Sequence, residues 1–128
     1  MTIKRVLVAE RVRRIPAQFS WIDHRLVRDR HIERCDAASC ALYLFLVTVA
    51  DAQGLSYYSD ASIAKRLSME PARLGQARAD LMRFGLIAYA PPLYQVLALD
   101  VPAPSRELSR EQWRERFAEL RARLTAAR

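Results

Sequence analysis

The chain has 128 residues, a length that suits one domain with short extensions, and its 52% apolar content excludes a disordered protein. Two cysteines, Cys35 and Cys40, exclude a disulfide scaffold, and the densest apolar run, Ala41 to Ala50, is half of the ~20 residues that a spanning helix needs. The 21 Lys and Arg against 14 Asp and Glu leave a net charge of +7, which favours an anionic partner, nucleic acid above all.

Near the N-terminus, Lys4 and Arg5 precede only Val6-Leu7-Val8-Ala9 before Glu10, too short for the apolar part of a signal peptide, so the chain reads as soluble and intracellular. All of its bases but Lys4 and Lys65 are arginine, a bias that a GC-rich genome can produce; the net excess is therefore the informative quantity. That excess sits at the two ends: +5 over residues 1–34, −2 over 35–54, +1 over 55–104 and +3 over 105–128.

In chain order, Ile3 to Ala9 has strand character, and Arg11, Arg13, Arg14 and Pro16 break it. Ser20 is placed to cap a short helix with Trp21, Ile22, Leu26 and Val27 on one side. Asp36 is a good N-cap for a helix over 37–52, with Gly54 as its stop. Leu42 to Val49 make that helix apolar nearly all round, so it needs cover on several sides. Leu55 to Tyr58 is a short extended piece. Ser59 or Asp60 then caps a helix over 61–67 with Ile63, Ala64 and Leu67 inward, and Ser68-Met69-Glu70 turns the chain.

Pro71 suits the first position of the next helix, which runs to Phe84 with Leu74, Ala77, Leu81 and Phe84 at spacings of three and four. Gly85 ends it. Leu86–Tyr89 and Leu93–Leu99 read as two strands bent at Ala90-Pro91-Pro92. Their alternation is apolar on both faces, with Tyr94, Val96 and Ala98 on one and Leu93, Leu97 and Leu99 on the other, so both faces need cover. Pro102 and Pro104 make a stiff linker. Ser109 and Gln112 fit a capping box for a last helix whose stripe is Trp113, Phe117, Leu120 and Leu124. That stripe is read as an interface, docking on its own domain or on a second copy.

The fold class read from this order is α+β, mainly helical with a small β-hairpin. The organisation is a basic arm over 1–17, a domain over 18–101 and a linker with an amphipathic helix over 102–128. The string Ser59-Asp-Ala-Ser-Ile-Ala-Lys-Arg-Leu67, the three-residue turn, the helix over 71–84 and Gly85-Leu86-Ile87 resemble the winged helix-turn-helix family. With the long apolar helix after Phe19–Cys35, the resemblance extends to winged-helix modules of phage and plasmid replication initiators and of mobile-element proteins. It covers about residues 18–99.

The resemblance implies duplex-DNA binding, with helix 71–84 in the major groove and the wing on flanking phosphates, in a transcriptional regulator or replication accessory of the nucleoid. Carried onto this chain, the reading face is Ala72, Arg73, Gln76, Ala79 and Asp80, with Arg83 at its end; Arg73 suits guanine and Gln76 adenine. Ser59, Lys65 and Arg66 would hold phosphates.

The chain departs from the pattern at its wing, since Gly85 to Leu99 contains no Lys or Arg, and Gly75 interrupts the helix. The missing charge is expected from the arm, Arg11, Arg13 and Arg14 with Lys4 and Arg5. The competing expectation is a protein-interaction module that uses the uncharged wing and the C-terminal helix, in a homodimer or with another protein. His24, His31, Cys35 and Cys40 lie close together but lack a standard zinc spacing, and Cys40 reads as a small apolar residue of the long helix. No nucleotide-binding, metalloprotease or hydrolase motif is present, so neither cofactor nor enzymatic activity is expected.

Overall fold

A computed structural model describes residues 3–100 and, in a C-terminal helix, positions 114, 115, 118, 119, 121 and 122. Helix α1 is Arg25–Arg28, α2 is Ala37–Val49, α3 is Asp60–Leu67 and α4 is Pro71–Arg83. Strands β1 (Leu55–Tyr57), β2 (Ile87–Ala90) and β3 (Leu93–Val96) form an antiparallel sheet in the order β1-β3-β2. The protein is thus α+β, and the short extended piece at Leu55 becomes a full third strand, paired Leu55–Gln95 and Tyr57–Leu93.

Local chemistry sets most boundaries. Asp36 accepts a hydrogen bond from the Ser39 amide at 2.9 Å, and Ser59 accepts one from the Ser62 amide at 3.2 Å, so each caps its helix by satisfying an orphan donor. Pro71 opens α4. At its other end, Gly85 adopts φ +74° while its amide reaches the Met82 carbonyl and the Leu86 amide reaches the Leu81 carbonyl. This pair of bonds is a Schellman motif, closed by the buried Leu81 and Leu86.

Leu42, Leu46 and Tyr43 of α2, Ile63 of α3, Leu74, Ala77 and Leu81 of α4, and Leu86, Ile87 and Tyr94 of the hairpin build one core. Ile63 is the fully buried residue by which α3 joins this core.

Several expected elements differ. Residues 3–9 form no strand; Ile3, Val6, Leu7 and Val8 are exposed, and the segment holds only a 3₁₀ turn at Ala9–Arg11. An apolar run becomes a strand only beside a partner edge, and no described strand pairs with it. Ser20 caps no helix: its hydroxyl donates to the Thr48 carbonyl at 3.1 Å. Helix α1 starts later, where Asp23 accepts from the Arg25 amide at 2.9 Å, so Leu26 is buried while Trp21, Ile22 and Val27 stay exposed.

Helix α2 stops at Val49, before Ala52. The β-branched run Val47-Thr48-Val49 favours helix poorly, and Asp51 turns the chain by accepting from the Gln53 and Leu55 amides. Gly54 therefore ends a turn rather than a helix. Its φ is +86°, and a Cβ there would lie 2.6 Å from the Val96 carbonyl oxygen, so the turn crosses β3 too closely for a side chain. Cover of α2 is also incomplete, since Leu44 faces solvent. Strand β3 ends at Val96, short of Leu99, and Ala98 is exposed. The linker prolines and the stripe Trp113, Phe117, Leu120 and Leu124 lie outside the described residues.

Candidate nucleic-acid interface

Helix α4 turns Leu74, Ala77 and Leu81 into the core and so presents Ala72, Arg73, Gln76 and Ala79 to solvent, with Arg83 in its last turn. The structure brings these expected residues together on one side, and each long one already has an acidic partner. Arg73 forms an ion pair with Asp36, the cap of α2. Gln76 donates to Asp80 at 3.0 Å, and Arg83 reaches the same carboxylate at 3.1 Å. The Arg73 guanidinium holds the Asp36 carboxyl down at about 2, with the Ser39 amide adding to the shift. The Arg73 and Asp36 side chains are 42% and 46% exposed, and a pair this open to water contributes little to stability.

Arg78 behaves differently. Only 16% exposed, it donates to Asp60 of α3 at 2.7 and 3.2 Å and to the Tyr94 hydroxyl at 2.8 Å. Its guanidinium also lies 4.3 Å from the centre of the Tyr89 ring, within cation–π range. One side chain thereby ties α3 and α4 to both hairpin strands. Burial pushes the Tyr94 hydroxyl up to about 12, against the opposing pull of Arg78. Tyr94 is a core residue, with Tyr89 packed on it at 4.4 Å between ring centres. Sequence reasoning passed over Arg78; its place between Ala77 and Ala79, beside an inward position of α4, was the available signal.

Ser59 at the start of α3, and Lys65 and Arg66 in its last turn before the connection to α4, are exposed. The Ser59 oxygen caps α3, Arg66 contacts Ser62 and the Tyr58 ring, and Lys65 forms no ion pair with a described residue. Ahead of the domain, Lys4, Arg5, Arg11, Arg13 and Arg14 are all exposed, and none forms an ion pair with a described residue. The segment that follows the arm is held to the rest of the domain by the Ser20 hydroxyl on the Thr48 carbonyl and by Arg25, which bonds Asp23 at 2.6 Å and also pairs with Asp100. Beside this junction is a cleft of about 610 Å³ rimmed by Phe19 and Trp21, with Tyr43 and Val47 in its wall.

At the hairpin tip the two strands turn at Pro91-Pro92, whose peptide bond is cis; neither strand carries a Lys or Arg, and Arg121 of the C-terminal helix reaches the Pro91 carbonyl. Among the described residues, no three His, Cys, Asp or Glu side chains are placed to share a metal ion, and burial pushes the Cys35 thiol up to about 11. No described helix is long and apolar enough to cross a membrane. No protein-family model, curated protein or solved structure matches the chain.

Proposed function

We propose that the protein binds duplex DNA through a winged helix-turn-helix domain, with α4 in the major groove and the basic N-terminal arm on the phosphate backbone. The observation that carries this reading is the element order α2-β1-α3-α4-β2-β3, with β3 between β1 and β2 in the sheet. Two helices joined by a short turn and followed by a hairpin are the arrangement that the family uses to present its second helix.

The electrostatics supports a division of labour. The arm supplies charge that is free of ion pairs, and such charge gives the salt-dependent share of affinity. Helix α4 contributes Arg73 and Gln76 to base edges, with Ala72 and Arg83 beside them, and Ser59, Lys65 and Arg66 contribute phosphate contacts. Arg73 can exchange Asp36 for DNA at little cost because the pair is open to water. Such a protein acts as a transcriptional regulator or as an accessory in replication or element mobility. The uncharged hairpin favours a second reading, an interaction module that grips another protein through the wing and the C-terminal helix.

Fluorescence anisotropy with random duplex DNA at two salt concentrations separates the two. DNA binding predicts affinity that falls steeply with salt, each neutralised phosphate adding ~0.9 to the log–log slope. No binding at low salt by the folded protein would overturn the DNA reading in favour of the interaction module.

A further inference from the structure

The outer face of the sheet, away from α2 and α4, carries Ala88, Ala90 and Leu93. Strand alternation and the pairings Ala88–Gln95 and Ala90–Leu93 put the three on one face. They are 2%, 7% and 6% exposed, yet the two alanines stand apart from the main core, and Leu97 is the described apolar residue packed on them. Small side chains this inaccessible need more cover than one leucine gives.

At the edge of this face, Arg121 donates to the Pro91 carbonyl at the hairpin tip, 3.1 Å away. The described positions of that C-terminal helix, Arg114, Glu115, Ala118, Glu119, Arg121 and Ala122, are all exposed. Their spacing marks one side of a helix. The stripe Trp113, Phe117, Leu120 and Leu124 takes the complementary positions in the sequence.

We propose that the outer face of the hairpin is a docking site for the chain's own C-terminal helix, which lays this stripe over Ala88, Ala90 and Leu93 with Arg121 as its anchor. The size match is favourable, because alanines opposite Trp and Phe let large and small side chains interdigitate. Reach is sufficient, since the residues between Asp100 and Trp113 span up to roughly 40 Å when extended. A helix of this length is marginal on its own and gains its stability from packing. Docked in this way, the helix closes the wing's outer face to a second copy. The inference does not depend on DNA binding.

The test uses the full chain. Trp21, 73% exposed, is replaced by Phe, which leaves Trp113 as the remaining tryptophan. Docking predicts a blue-shifted Trp113 emission, protected from acrylamide and unchanged over a roughly hundredfold range of protein concentration. Adding Phe117→Glu should shift the emission to the red and remove the protection while the domain's thermal transition persists. Arg121→Ala should weaken the protection in part. Solvent-like emission in Trp21→Phe alone would overturn the proposal, as would protection that survives Phe117→Glu. Protection that grows with concentration would assign the face to a second copy instead.

Discussion

Helix α4 and the N-terminal arm carry the same kind of side chain in opposite circumstances. On α4 the long polar groups are taken up within the fold, Arg73 by Asp36, Arg78 by Asp60, Gln76 and Arg83 by Asp80. On the arm, Lys4, Arg5, Arg11, Arg13 and Arg14 are exposed and form no ion pair with a described residue. The comparison teaches that net charge does not locate a binding surface. What counts is the charge left after internal pairing, and among the described residues a large share of that lies on the arm. On the proposed DNA reading, the arm would attract the duplex and α4 would select sequence after exchanging its internal partners.

Four perturbations sharpen or break this contrast. The largest effect belongs to the helix. Leu81 is fully buried, and Leu81→Ala should destabilise the domain by about 2–5 kcal/mol in urea unfolding. The arm has no comparable role: replacing Arg11, Arg13 and Arg14 by Ala should change stability by less than ~0.5 kcal/mol. The same triple variant should lower the salt slope of DNA binding by roughly 3, and an unchanged slope would remove the arm from the interface.

A smaller effect tests α4 itself. Outside the neighbouring backbone of α4, no described residue lies within 4 Å of a Cβ built on Gly75, so Gly75→Ala should stabilise the protein by about 0.5–1 kcal/mol in thermal unfolding. A loss of DNA affinity in this more stable variant would place nucleic acid against that turn of α4.

The smallest effect is acidic. The folded-state Asp36 carboxyl is held at about 2 against an ordinary 3.8, so its contribution to stability is intact above 3.8 and is lost as pH falls toward 2. Asp36→Asn should flatten that limb of the stability profile only in part, because Arg25 lowers Asp23 to about 2 as well. Asparagine still caps α2, so the same variant frees Arg73 and should tighten DNA binding.

Local signals in the sequence carried far in this protein. The caps Asp36 and Ser59, Pro71 at a helix start, Gly85 at its end and the proline bend all depend on a few neighbouring residues, and each sits where its chemistry requires. What stayed hidden depends on residues distant in the chain. The Arg73–Asp36 pair spans 37 positions and the Arg78–Tyr94 bond 16, and nothing in the neighbourhood of either arginine announces its partner. The run from Ile3 to Ala9 looked like a strand because strand propensity is local while strand pairing is not. Residues 21–27 misled for a related reason. Their spacing suits a helix, but Asp23 accepts the Arg25 amide and starts the turn four residues late.

Arg78 has a consequence for anyone who would retarget this scaffold. Because its guanidinium joins α3, α4 and the hairpin, these three parts form one chassis, and a graft of α4 alone would leave Asp60 and the Tyr94 hydroxyl without their shared donor. The outward set, Ala72, Arg73, Gln76 and Ala79, makes no contribution to that joint. On the proposed DNA reading, this outward set would be a replaceable cassette that leaves the Arg78 joint intact, with Arg73 giving up its pair with Asp36.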